Sequence, residues 1–300
     1  MVTMNSVFRF VSNDFTLRAA SVDSTEAVRE MQRLQGTGPL ATLGVGRAMT
    51  GALLLASHLK EGQEVGLLFK GNGPLGSIYA EASFTGHVRG YCPHPEYISP
   101  TPEDQLKLGK AMGFGTLNVA RHQPFQRQAY QGMVDMVSGE VGDDIAHYLH
   151  QSHQIRSLIS VGVYLDEYGQ VKAAGGILIE VMPGVEDQVV ELIEKNSQEI
   201  KTPVSQLLFE GKSPIQILEP YMKGVVYTQI PHDFPVSYFC PCDAARVMRA
   251  LTTFGEAGLQ EIIDDNQPTE VICQVCGRKY EVSVDEVKSL KDEVHRKSLH

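Results

Sequence analysis

The sequence predicts an α+β chain: a mixed strand-helix N-terminal core over 1–184, a helical linker arm over 185–235, and a small cysteine-bearing C-terminal domain over 236–300. Three observations predict it. Through the first half, β-type segments recur in pairs around turn residues, with helical patterns set between them. Prolines at 203, 214 and 220 then cut the chain into short helical pieces. Four of the five cysteines fall between Cys240 and Cys276.

Taken in order, Val7–Val11 and Phe15–Ala19 flank Asn13-Asp14 as a hairpin. Ser24 or Thr25 caps a helix that runs to about Gln35, where Gly36 ends it. Pro39 to Lys60 is rich in Ala and Leu and apolar on more than one face, which predicts a buried helix. Its Gly44, Gly46 and Gly51 predict close approach of neighbours. Val65–Phe69, Ser77–Phe84 and His87–Tyr91 form a three-stranded meander, with further strands at Gly115–Arg121 and Met133–Val137. Val141–Gln151 has helical spacing, and Ile159–Leu165 and Val171–Val181 flank another turn at Asp166–Gly169.

Met182-Pro183-Gly184 marks a break, after which Val185, Val189, Leu192 and Ile193 form a helical stripe. From there to His232 the chain reads as a connecting arm, closed by Pro231 and Pro235. In the last domain Asp243 caps a helix over Ala244–Thr253, and Leu259, Ile262 and Ile263 mark a second. Val271-Ile272 and Tyr280–Val282 flank a cysteine pair as a hairpin, and Ser283 with Glu286 forms a capping box for a final helix.

Composition narrows the function. With 42% hydrophobic and 21% charged residues, the chain reads as globular. The segment Met1–Phe10 has no basic leader or apolar run of signal length, and the longest uninterrupted apolar stretch, Ala52–Ala56, is short, so a cytoplasmic protein with no membrane partner is expected. The net charge is −10, and from Val236 onward eight Lys and Arg stand against eleven Asp and Glu. A nucleic-acid partner is therefore not expected.

Cys240 and Cys242 form a C-x-C pair, and Cys273 and Cys276 a C-x-x-C pair followed by Gly277. Together they supply the four soft ligands of a tetrahedral zinc, although the spacing alone also suits an iron–sulfur cluster. In a reducing compartment such a group points to metal or redox chemistry before structural disulfides. Two residues of extended chain span roughly 6.6–7.2 Å, against a Cα separation of at most about 6.8 Å in a disulfide. A Cys240–Cys242 bond is thus strained, and strained disulfides are labile.

C-P-C-D from Cys240 and C-Q-V-C-G-R-K-Y from Cys273, at the end of a 33.0 kDa chain, resemble the zinc centre of the redox-regulated heat-shock holdase chaperones, the 33 kDa family. The stretches Phe69–Ala82, Asp143–Ile155 and Ala174–Gly184 are similar to core segments of that family, in the same order. His153 stands where the family usually carries Glu, and Asp243 where Ser is frequent; Asp and Ser both cap helices. The resemblance implies an ATP-independent holdase and no enzyme. It implies one Zn²⁺ per chain in the reduced state, held by Cys240, Cys242, Cys273 and Cys276. Oxidation would form Cys240–Cys242 and Cys273–Cys276 disulfides and release zinc from the redox-switch domain; the arm, if it packs partly on that domain, would loosen with it. It also implies unfolding client proteins as partners and a homodimer when active. The alternative is a zinc-ribbon protein with a purely structural metal and a core that binds a partner or nucleic acid.

Other candidates carry less. Cys92 at a strand end reads as packing rather than a nucleophile. Gly71–Gly76 lacks the Lys-Ser/Thr ending of a phosphate loop and reads as a β-turn. Asp143 and Asp144 favour a helix N-terminus. A thiol oxidoreductase using Cys273 and Cys276 ranks last, because no thioredoxin-like βαβ unit surrounds the pair.

Overall fold

In the computed structural model, which describes residues 5–124, 129–185 and 187–298, the chain divides into one unit up to Phe239 and a second from Cys240. The first begins with the expected hairpin, β1 (Ser6–Ser12) antiparallel to β2 (Leu17–Asp23). The second strand starts two residues later than expected, because the turn is wider. Asp14 Oδ1 accepts bonds from the Thr16 backbone N–H at 3.1 Å and its hydroxyl at 2.7 Å, holding Phe15 at φ 60°.

Helix α1 (Thr25–Gln35) ends on Gly36 at φ 61°, whose N–H reaches Gln32 O. Its Ser24 does not cap through the side chain; the hydroxyl instead bonds to that of Thr50 at 2.8 Å. All residues of α2 (Pro39–Ala56) except Pro39 and Arg47 are buried. Among the described residues this is the one helix long and apolar enough to cross a membrane, at a mean hydropathy of 1.3. It is instead enclosed by protein.

The meander is β3 (Glu64–Gly71), β4 (Ser77–Ser83) and β5 (His87–Tyr91). After it come a one-turn helix α3 (Leu108–Met112), β6 (Gly115–His122) and β7 (Tyr130–Asp135). The last of these lies three residues earlier than the Met133–Val137 expectation, because Tyr130 opposite Arg121 starts the pairing with β6. Helix α4 (Val141–His153) and the pair β8 (Ser157–Leu165) and β9 (Val171–Val181) follow as expected.

The segment read as a connecting arm is largely packed. Its helices α5 (Asp187–Glu199), α6 (Val204–Phe209) and α7 (Pro214–Leu218) send Ile193, Val204, Leu208 and Ile217 into one apolar cluster with Phe8, Phe10 and Ile179. Its end, β10 (Tyr227–Pro235), joins β1 as an edge strand. Prolines read as breakers are tolerated there because an edge strand need not donate on both sides. The ladder shifts between Ile230 and Phe234, the interval containing Pro231. Residues 236–239, grouped by sequence with the C-terminal domain, belong to the first unit. Val236 is buried in its core, and β11 (Ser237–Tyr238) pairs parallel with β5.

Two sheets result, one ordered β10-β1-β2-β9-β8 and the other β11-β5-β4-β3-β6-β7. Helices α1, α2 and α4 lie between them, and α6 and α7 cover the outer face of the first. The C-terminal unit holds α8 (Ala244–Leu251), α9 (Gly255–Asp264), the hairpin of β12 (Thr269–Ile272) and β13 (Lys279–Val282), and α10 (Val284–Ser298). Val247, Leu251, Leu259, Val282, Val287 and Leu290 form its buried cluster.

At the end of the inner face of the first sheet, Arg18 grips Glu180 with two bonds of 2.6 and 2.9 Å. His58 Nε2 lies 3.2 Å from the same carboxylate. Burial pushes the His58 imidazole down to about 4, against the pull of Glu180 and with the help of Arg18, Arg9 and Arg121.

Two outcomes are expected. A Cβ on Gly46 would stand 2.8 Å from both Val163 Cγ2 and Val28 Cγ1, side chains too stiff to swing away. Gly46→Ala should therefore destabilise the first unit by about 1–3 kcal/mol, although helix propensity alone favours Ala by about 1 kcal/mol. Urea unfolding that shows a gain would refute this packing. As for pH, the unfolded chain protonates His58 near its ordinary value while the fold resists until about 4. The His58 contribution is complete above the ordinary value and is lost as pH falls, at about 1.4 kcal/mol per pH unit. His58→Gln should flatten the stability profile in that window; parallel profiles for the two proteins would contradict the assignment.

Candidate metal centre

The site is built from two chain turns in the C-terminal unit. Cys240 and Cys242 lie just before α8, whose N-cap Asp243 accepts the Arg246 N–H at 2.6 Å and so fixes the strand-to-helix turn that follows the cysteines. Cys273 and Cys276 sit in the turn between β12 and β13. There Gly277, at φ 69°, donates its N–H to Cys273 O at 2.8 Å, and Cys273 N–H reaches Arg278 O at 2.9 Å. The positive φ is why glycine follows the second sulfur.

The four sequence-predicted residues come together: all four Sγ atoms lie within 4.8 Å of one another. Cys240 and Cys273 sulfurs are 3.8 Å apart, and those of Cys242 and Cys276 are 3.3 Å apart. Tetrahedral zinc with Zn–S bonds of about 2.3 Å has sulfur edges of about 3.8 Å, so the donor set fits that metal. No disulfide joins the cysteines.

Cys276 is buried and the other three are half-buried. Burial pushes the Cys242 thiol up, but the Tyr280 hydroxyl and the Cys276, Cys240 and Cys273 sulfurs outweigh it and hold this thiol at about 7. The thiol of Cys276 is pushed up, first by burial and then by its shared bonding with Cys242. One sulfur in the group is therefore thiolate-prone near neutral pH, the form that both ligates metals and meets oxidants. Sequence reading missed Tyr280 in this role. No local pattern singles it out; Arg278, just before β13, also donates from Nη1 to Cys242 O at 3.4 Å.

Cys92 is elsewhere. It packs in the core of the first unit, and burial pushes its thiol up to about 11, consistent with the packing role expected for it. The Gly-rich segment at Gly71–Gly76 is a turn whose Gly71 N–H bonds to Gly76 O at 2.8 Å. Asp144, at the start of α4, accepts from the Val137 N–H at 2.7 Å and the Ser138 N–H at 3.1 Å, binding the preceding loop.

Comparison with known proteins agrees with this architecture. The family model described as Hsp33 protein matches residues 5–283. The "33 kDa chaperonin" of Thermodesulfovibrio yellowstonii is 36% identical, over 95% of this chain and 97% of its own. That of Synechococcus elongatus is 38% identical over 91% and 93%, and that of Bacillus subtilis 33% identical over 98% and 100%. The crystal structure of the 33 kDa chaperonin from Thermotoga maritima superposes with a TM-score of 0.88 at 29% identity, covering 97% of this chain and 99% of that one. With a family match across almost the whole chain and full-length relatives above 30% identity, this chain belongs to the Hsp33 family.

Proposed function

We propose that this chain is an ATP-independent holdase of the cytoplasm, switched on by oxidation of a zinc centre formed by Cys240, Cys242, Cys273 and Cys276. The observation that carries the reading is the gathering of four sulfurs within 4.8 Å, with one edge already at the length a tetrahedral zinc requires. When bound, zinc supplies a cross-link between the turn before α8 and the turn between β12 and β13. In small zinc peptides that is worth on the order of 10–16 kcal/mol.

Oxidation converts thiolates to disulfides and removes the ligands, each bond formed releasing two electrons to the oxidant. The thiolate-prone Cys242 is the natural first nucleophile toward it. Pairing within each motif, Cys240 with Cys242 and Cys273 with Cys276, follows the family resemblance. The C-terminal unit then loses the constraint that joins its parts, and its buried cluster around Val247, Leu259 and Val287 becomes available to unfolding clients. Helices α5–α7 are held on their sheet by apolar contacts of their own, so exposure begins beyond Cys240. The active form is a homodimer in this reading.

Reduced protein should carry one zinc per chain. Cys273→Ser should weaken it well beyond the roughly 10–100-fold that changes outside the ligand set cost, while Cys92→Ser keeps it. Metal analysis giving the opposite pattern would remove the assignment. Oxidised protein should suppress aggregation of a thermally unfolding client with or without ATP, and reductant plus zinc should reverse this. In the same samples, hydrogen exchange should accelerate over Cys240–Ser298 while β2, β3 and β9 stay protected. Equal suppression by reduced and oxidised protein would instead favour a purely structural zinc, and mapped disulfides that join the two motifs would overturn the pairing.

A further inference from the structure

The two sheets of the first unit end in the edge strands β10, β8, β11 and β7. An edge strand carries unpaired backbone N–H and C=O groups, and proteins ordinarily block or cover them. Three of these edges are managed in that way. Strand β10 contains Pro231 and Pro235, and β11 is only Ser237–Tyr238. On β8, Arg156 O accepts the Val181 N–H, so by alternation Ile159 turns its C=O away from β9. There α4 covers it: a Cβ on Gly142 would stand 3.4 Å from Ile159 O. Strand β7, Tyr-Gln-Gly-Met-Val-Asp, has no proline, lysine or arginine, and its pairing with β6 runs without a bulge.

The register fixes which groups on β7 are open. Met136 donates its N–H to Gly115 O at 2.9 Å. By alternation Tyr130, Gly132 and Val134 turn their backbone groups to β6, and Gln131, Met133 and Asp135 turn theirs outward. No other described segment bonds to the backbones of these three. Side-chain placement agrees. A Cβ on Gly132 would stand 2.8 Å from Tyr148 Cε2 of α4, and Val134 packs on the core. Gln131, Met133 and Asp135 therefore lie on the opposite, outer face, and all three are exposed, Met133 at 67%. Tyr130 and Val137, at the two ends of the strand, are exposed as well.

We propose that β7 is a self-association surface: a second copy of this chain pairs its own β7 antiparallel to the first, about a twofold axis at Met133. Met133 then stands opposite Met133, and Gln131 opposite Asp135, so every outward N–H and C=O of the strand finds a partner. The charges fit too, because Asp135, the one ionised side chain of the strand, meets an amide and not its own image. Other axes fit less well. One at Asp135 opposes two carboxylates, and one at Gly132 carries Asp135 past the end of the strand. One at Val134 sets Gln131 against Val137, whose N–H is already given to Asp144. A seam of one short strand is small, below the roughly 1,200 Å² of a standard interface, so the association depends on concentration. The inference rests on the homodimer of the proposed function and names its seam.

The test is sedimentation equilibrium of oxidised full-length protein, with holdase activity measured on the same samples. Met133→Lys sets two ammonium groups against each other across the axis, and Met133→Glu two carboxylates. Each should weaken dimerisation by about tenfold or more, whereas Met133→Leu should match the parent. Mixed one to one, the two charged variants should recover the dimer, a rescue that misfolded protein cannot give. A parent that stays monomeric at every concentration removes the homodimer of the proposed function, and the seam with it. A parent dimer that persists unchanged in Met133→Lys overturns the seam alone and leaves that homodimer on another surface. A mixture of the charged variants that stays monomeric also overturns it. Variants that keep the parent's dimer but lose holdase activity assign the edge to client segments instead, and the seam falls.

Discussion

A helix without a polar face can exist in water only if something covers it on every side. Helix α2 imposes this condition on the whole first unit. With only Pro39 and Arg47 outside the buried set, it needs apolar surface in all directions, and a single sheet supplies one direction. The two sheets are the solution, their inner faces meeting the helix with Leu178 and Val163 on one side and Leu67, Ile78 and Val88 on the other. Its glycines follow from the same constraint: Ile78, Val28 and Ile145 reach so far in that a Cβ at Gly44, Gly46 or Gly51 would stand 2.5–2.8 Å from them. Even its threonines are spoken for, Thr50 bonding to Gly46 O at 2.8 Å and Thr42 to Thr37 at 2.6 Å.

The C-terminal unit is organised on a different principle. Its buried apolar set of six side chains among the described residues contributes about 1.5–3 kcal/mol each. A single zinc in such a unit is worth on the order of 10–16 kcal/mol, comparable with the whole set. A metal bound by the four sulfurs would, once lost, take with it a large share of what holds this unit, and almost nothing of what holds the other. That asymmetry follows from how apolar residues are distributed along the chain.

Local signals were legible in the sequence, and signals set by distant partners were not. The hairpins at Asn13, Asp166 and the second cysteine pair could be read because the turn residues and alternation lie within a few positions of each other. The four sulfurs could be read because their chemistry is rare in this composition. By contrast β10 was hidden: Pro231 and Pro235 signal a break, and only its position at a sheet edge makes them acceptable. The arm's packing was equally obscure, since Val185, Val189 and Ile193 announce an apolar stripe without naming the sheet face that receives it. Tyr280 and the Arg18–Glu180 pair needed the fold itself, because Cys242 and Glu180 lie tens of residues or more from their partners in sequence.

The charge cluster also shows how the first unit limits its own sheet. Arg18, Glu180 and Ser157 occupy the last inward-facing positions of three adjacent strands, where the apolar core gives way to charge. Ending the core with ions lets the strand ends sit near solvent without leaving apolar surface open, but it requires the charges to balance in a place that water reaches poorly. Arg18 and Glu180 balance each other through two bonds. Arg121 lies on the opposite sheet, half-buried, and its charge acts on the His58 and His153 imidazoles, both pushed down first by burial. The junction of the two sheets is thus sealed by an ion pair whose partners stand 162 positions apart, so the edge of the core is set by the register of the sheet and not by any local motif.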